Sequence, residues 1–335
     1  MEGIFLSEKN SEIYEAYDME VYQTSRGRGA VILKTDMGIL QLKQLDVNES
    51  RLNAEFLFKE KMFESDFCNI DRCIRNKENE LYTYDRYGNP FVLRMFFNGK
   101  ECNITDQYEI NMAVDNLAKL HIAGKKVFDS TESDVHIRIN GDFKKRNMEL
   151  KRVRNFISKK RPRKEFEDIY MEAFNYFFKQ ALECERSCLD NEGGENKSHL
   201  GYCHGMYNQH SVLINYGEGE PVIATINFDK FYVGNQLTDL YHFMRKTVEK
   251  NNYNYNVLLN ILKRYDAICP LSQEDINYIY NLYCYPEKFY KISNQYINSP
   301  KNWISPKMLE KLHKVIQDED KKKELLDLMK NIKLN

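Results

Sequence analysis

The 335 residues carry 49 Lys and Arg against 50 Asp and Glu, a formal net charge of −1, and 42% are hydrophobic. That is enough apolar chain for a large core; it excludes a disordered polypeptide and gives no global field toward nucleic acid or an anionic membrane. No apolar stretch approaches the roughly 18 residues of a spanning helix, and the opening "MEGIFLSEKNSEIYEAYD" lacks a basic n-region and a small-residue cleavage site, so the expectation is a soluble protein made in the cytoplasm.

In chain order, "MEVYQT", "AVILKT" and "ILQLKQL" are short β-branched and apolar runs separated by "SRGRG" and "DMG", which predicts a three-stranded meander. "DVNESRLNAEFLFKEKMF" predicts a helix capped by Asp46 with Glu49 three residues later, its Leu52, Phe56 and Phe63 on one face. "ELYTYDRYGNPFVLRMFF" predicts a second hairpin turning over residues 87–90.

After "NGKECN" the periodicity turns helical. Ile110, Val114, Leu117, Ala118 and His121 form one stripe, and a further helix is expected from about Phe166 to Arg186. Between them, Lys144 to Lys164 is strongly basic, with Leu150, Val153 and Ile157 on one side. A solvated helix face or a docking face for an acidic partner accounts for it better than nucleic acid does, because no interleaved aromatics or known motif accompany the charges. "SVLIN" and "PVIATINFD" predict a hairpin joined by "YGEGE", and the chain from Leu237 onward reads as helices punctuated by prolines. The order predicts an α+β, bilobal protein: a small β-rich lobe over 1–97 and a helical lobe over 98–335 that carries the hairpin region 202–240. The 8 cysteines form no Cys-x-x-Cys pair and no zinc spacing, so they are expected to be reduced structural thiols.

Three stretches carry chemistry: "GILQLKQL" with Lys43, "CHGMYNQHSVLI", and "INFDKFYVGNQLTDL". Together they resemble the aminoglycoside phosphotransferase and choline kinase group of protein-kinase-like folds, whose pattern is His-Gly-Asp, an Asn five residues beyond the Asp, and Ile-Asp-Phe/Trp. Within that group the phrases "SRGRGAVI", "LRMFFNGKECNI", "ELKRVRNFI" and "YPEKFYKISNQY" are most similar to the CotS-type spore coat proteins of spore-forming bacteria, from about Tyr22 to about Leu312.

The resemblance implies roles for single residues. Lys43 matches the strand lysine that holds nucleotide phosphates and pairs with a helix glutamate, Glu55 or Glu60. Gly27 and Gly29 lie where a phosphate-covering loop would be, but "RGRG" lacks a third Gly and reads better as a plain hairpin turn. His204 matches a structural loop histidine, and Asp239 the acid that ties the loop to the following helix. Met206 falls on the catalytic Asp, Ser211 on the metal-binding Asn and Asn227 on the principal magnesium Asp. Asp229, two residues on, is the one carboxylate placed to substitute as a metal ligand, if the strand is regular. A thioether cannot accept the acceptor hydroxyl's proton, a role worth roughly 10²–10⁴ in rate.

The combination implies a pseudokinase: a structural or assembly protein made in the mother cell and built into the spore coat beside other coat proteins, with weak or absent binding of Mg·ATP. Two alternatives stand beside it. One is an atypical small-molecule or protein phosphotransferase using ATP, Mg²⁺, Lys43 and Asp229. The other is a nucleotide-sensing switch without turnover.

Overall fold

The structure, a computed structural model, describes residues 11–128, 137–138, 143–190, 199–299 and 304–333. The meander is present as β1 (Val21–Gly27), β2 (Ala30–Thr35) and β3 (Gly38–Gln44), all antiparallel. Gly27 pairs with Ala30, which leaves Arg28-Gly29 as a two-residue turn. Gly29 sits at φ 65°, the left-handed backbone such a tight turn demands. Alternation buries Leu33, Leu40 and Leu42 against Ile13, Tyr17 and Leu93. The strand β6 (Pro90–Met95) lies on the other side of β3 with Val92 opposite Lys43, and β4 (Cys73–Ile74) and β5 (Thr83–Tyr84) pair with it. The β5–β6 turn forms around Asp85, whose carboxylate accepts the backbone N–H groups of Tyr87 and Asn89.

Helix α2 (Glu49–Glu64) follows the short α1 (Ser11–Glu15) and the meander. Its N-cap is Asn48, which accepts the Arg51 N–H at 2.9 Å, and not the expected Asp46, which still lies in the connection after β3. Its apolar face also differs from expectation: Leu52 is buried, but Phe63 is 40% exposed and Phe58 takes the interior place. Phe58 stacks on Phe231 at 5.5 Å and tilts against Tyr202 at 4.5 Å, which fastens α2 to the hairpin region.

That region contains β9 (Leu200–Cys203) paired with β12 (Tyr232–Asn235), and β10 (Val212–Asn215) paired with β11 (Val222–Thr225). Two pairings escape sequence periodicity because the strands are two residues long: β7 (Lys100–Glu101) on β10, and β8 (Ile137–Arg138) parallel to β12. The helix α3 (Gln107–Lys126), N-capped by Asp106, supplies Asn116, which donates to Tyr207 Oη and Thr225 Oγ1.

Contacts divide the chain into two compact units, one of Met1–Arg138, Leu200–Phe243 and Ala267–Cys269, the other of Ile139–His199, Met244–Asp266 and Pro270–Asn335. The expected boundary after residue 97 does not separate them. The hairpin belongs with the N-terminal region because Thr225 N donates to Asn69 O, Arg51 donates to the carbonyls of Asp229 and Phe231, and Phe58 packs on Tyr202 and Phe231.

In the second unit, α4 (Phe143–Ser158) packs on α5 (Glu165–Asp190) through the expected Leu150, Val153 and Ile157, all buried. Phe289, from the helix Glu287–Asn298, stacks on Tyr170 at 4.8 Å and on Phe177 at 4.6 Å. The cysteines 68, 73, 102, 184, 203, 269 and 284 are free thiols; the Cys188 side chain lies outside the described residues. No described helix is long and apolar enough to cross a membrane.

Candidate functional site

The loop after β9 is built from its backbone outward. Asp239, in the first turn of the helix Leu237–Lys250, is fully buried and accepts the backbone N–H groups of His204 at 2.6 Å and Gly205 at 2.9 Å. Burial pushes its pKa up, but His121, whose Nε2 lies 3.6 Å from its carboxylate, and then His204 hold it below the usual carboxylate range. His204 is also fully buried: Nδ1 accepts the Met206 N–H, so Nε2 carries the proton toward Ile226 O, 2.9 Å away. Burial pulls the imidazole pKa down, and Asp239 opposes this only in part. Gly205 has φ 82°, and a Cβ there would meet Lys230 O at 1.9 Å, so no other residue fits.

This frame presents Met206, half exposed, at the position after His-Gly. Its neighbours brace the loop. Asn208 donates to Met206 O and accepts the His210 N–H; Gln209 contacts the His210 ring; and His210 Nδ1 lies 2.6 Å from Glu101 Oε2.

Ser211 and Asn227 are likewise engaged. Ser211 Oγ donates to Asn208 O at 2.8 Å and accepts the Asn208 N–H. Asn227 adopts the left-handed conformation, φ 68° and ψ 53°, which asparagine tolerates better than most residues. Its N–H donates to Asp71 Oδ2 at 2.7 Å and its amide to His210 O at 3.3 Å. The strand has already ended at Thr225, and Phe228–Lys230 form a 3₁₀ turn. The regular strand on which a substitute metal role for Asp229 depended is therefore absent.

Asp229 instead reaches Lys43, 2.5 Å from Nζ to Oδ2, while its other oxygen faces Arg94 at 3.4 Å. Burial raises its pKa, yet Arg94 first and then Lys43 bring it below the usual range. Lys43 therefore does not pair with either expected glutamate. Glu60 forms a two-pronged pair with Arg72 at 2.8 and 2.7 Å, and Glu55 is buried on Lys59 and Arg94. The reason is geometric: Lys59, one turn after Glu55 on α2, turns inward, is fully buried and takes Glu55 at 2.5 Å and Asp71 at 2.7 Å. Three cations (Lys43, Lys59, Arg94) thus face three carboxylates (Glu55, Asp71, Asp229) in one connected, neutral cluster. Sequence reading missed Lys59, Asp71 and Arg94, since a lysine in "FLFKEKMF" carries no local sign of facing inward.

A magnesium site is poorly matched here. Mg²⁺ needs several hard, charged oxygens near octahedral positions. Ser211 and Asn227 bring neutral groups, Asp229 is shared by two cations, and among the described residues no group of three or more His, Cys, Asp or Glu could hold a metal. At the β1–β2 turn, Gly27 faces the Ile32 side chain and Arg28 reaches Glu101 at 3.3 Å, the same carboxylate that meets His210.

In architecture the chain is similar to an aminoglycoside phosphotransferase from Alicyclobacillus acidocaldarius, with TM-score 0.77 and 16% identity over 94% of this chain and 93% of that one. A spectinomycin phosphotransferase in complex with ADP and spectinomycin gives TM-score 0.67 and 14% identity over 96% and 97%. Choline kinase from Cryptosporidium parvum gives 0.57 and 14% over 97% and 96%. At such identities these likenesses establish the protein-kinase-like, α+β fold of the aminoglycoside phosphotransferase type. No curated protein matches the chain in sequence. The family described as "Spore coat putative kinase YutH" matches residues 10–329, nearly the whole length, and the chain belongs to that family of kinase-like spore coat proteins.

Proposed function

We propose that this chain is a catalytically inactive, kinase-like structural or assembly protein, made in the mother cell and incorporated in the spore coat with other coat proteins. The family's description supports the location. The observation that carries the inactivity is Met206: the loop around it keeps the His204–Ile226 and Asp239–Gly205 bonds, but the side chain aimed outward is a thioether without a proton-accepting group.

The test is phosphoryl transfer from labelled ATP or GTP, with Mg²⁺ or Mn²⁺, to water, small amino alcohols and coat-protein extract. No transfer above a heat-inactivated control is expected. Transfer that is lost in Lys43→Ala would overturn the reading.

A second reading, a nucleotide-sensing switch without turnover, draws on the Lys43–Asp229 pair. Both side chains are about a quarter exposed, and a phosphate group could compete with Asp229 for the ammonium. Thermal stabilisation by nucleotide that disappears in Lys43→Ala and persists in Met206→Asp would favour it. Unchanged melting curves with every nucleotide exclude it.

A further inference from the structure

We infer that the outer face of α4 is a docking groove for an acidic, amphipathic segment of another protein. The stretch from Phe143 to Lys164 holds eleven Lys and Arg and a single acid, Glu149, in a chain whose net charge is −1. Several of these cations are neutralised: Arg146 by Glu287 at 2.7 Å, Lys160 by Glu167 at 2.6 Å and Arg163 by Asp168 at 3.5 Å. Glu149 is itself taken by Tyr290 Oη at 2.6 Å. Lys151, Arg152 and Lys159 are different. All three are exposed, and among the described residues none has a carboxylate within ion-pair distance.

These three cations border a groove of about 700 Å³ inside the second unit, with Ile297 and Ile304 on its opposite wall. Met148, Arg152 and Phe156 follow one another at helical spacing on α4 and Lys159 stands just past its end, so apolar and cationic side chains alternate along this side of the groove. Met148 is 57% exposed and Phe156 36% exposed, unusual for an apolar pair beside a packed core.

The composition of the groove selects its occupant. A nucleic acid backbone would use the cations but leave the apolar wall idle, and one exposed phenylalanine is a poor platform for successive bases. A helix or extended segment with carboxylates flanking two apolar side chains satisfies both parts: the acids meet Lys151, Arg152 and Lys159, and the apolar residues cover Met148 and Phe156. This surface is separate from the phosphotransferase-like loop, and its occupancy is independent of whether that loop has any activity.

The experiment uses the full chain and a short fluorescein-labelled peptide with two leucines one helical turn apart among glutamates. Controls are a polyglutamate peptide and a single-stranded RNA of similar length, read by fluorescence anisotropy at low and high salt. The leucine-containing peptide is expected to bind best, more weakly as salt rises, and about tenfold more weakly to the Arg152→Glu/Lys159→Glu variant, since two attractive contacts become repulsive. Met148→Ala/Phe156→Ala, which removes the exposed Met148 thioether and the Phe156 ring that lies beside Tyr296 and Lys160, is expected to weaken the leucine peptide while leaving polyglutamate unaffected. Melting curves of both variants check that the fold is intact. The proposal is overturned if the charge reversal changes nothing, if polyglutamate binds as well as the leucine peptide, or if RNA binds more tightly than either. It is also overturned if sedimentation shows that the groove is already filled by a second copy, with self-association abolished by the same variants.

Discussion

The ammonium of Lys43, on β3, rests on the carboxylate of Asp229, in the turn after β11, at 2.5 Å, and the second oxygen of that carboxylate faces the buried Arg94. A lysine on this strand serves phosphotransferases by meeting phosphate oxygens. Here a carboxylate of the same chain occupies that partnership, and the three cations and three carboxylates of the cluster balance without a ligand.

The Lys43–Asp229 pair is partly open to solvent, so its loss is expected to cost little. Lys43→Ala should lower stability by about 1 kcal/mol or less, and by less still at high salt, because exposed pairs are weak and screened. Urea denaturation at two ionic strengths measures it. A loss several times larger would mean that Lys43 supports the interior and is unavailable to any ligand.

Lys59 presents the opposite case. It is fully buried between Glu55 and Asp71; burial alone would pull its pKa down, but these two carboxylates hold it above the usual lysine value. Lys59→Met leaves Glu55 to Arg94 alone and strips Asp71 of its buried counter-ion, at a cost of about 3–5 kcal/mol. Equilibrium unfolding reads this directly, and the triple change Lys59→Met/Glu55→Gln/Asp71→Asn should recover part of the loss. A single variant as stable as the parent would contradict the burial of the charge.

Gly205→Ala places a Cβ 1.9 Å from Lys230 O at a positive φ, a clash with backbone that no rotamer relieves. Destabilisation of about 3 kcal/mol or more is expected, from strain and from displacement of the Asp239 hydrogen bonds. Met206→Asp, at a half-exposed position one residue on, should change stability by about 0.5 kcal/mol or less. Comparing the two variants by chemical denaturation separates a shape requirement from a chemical one. Equal effects would remove the distinction.

Acid should destabilise the protein in two stages. The His204 pKa is lowered in the fold, so the unfolded chain takes up the proton first, and stability declines as pH drops below about 6.5. Asp239, Asp229 and Glu55 also have lowered pKa values. Their contributions are complete above the unfolded carboxylate values, near pH 4, and are lost as pH falls through the folded ones. The melting temperature should therefore slope downward from pH 7 to 5 and drop steeply below 4. A melting temperature that rises on acidification from pH 7 to 5 would refute the assignment of a neutral, buried His204.

The order of elements, the kinase-like plan and the placing of Lys43, His204, Met206, Ser211, Asn227, Asp229 and Asp239 in its motifs were legible in the chain read segment by segment. Strand alternation, helical stripes and short motifs are local properties, which survive being read one segment at a time. The partnerships come from tertiary packing: Lys43 meets Asp229 and leaves Glu55 and Glu60 to others, Lys59 turns inward to neutralise Glu55 and Asp71, and Arg51 and Asn69 tie the hairpin to the N-terminal region. It also left Lys151, Arg152 and Lys159 beside an apolar groove. Which charge neutralises which depends on distances between segments far apart in the chain, and a buried ion must find its counter-ion wherever packing puts one.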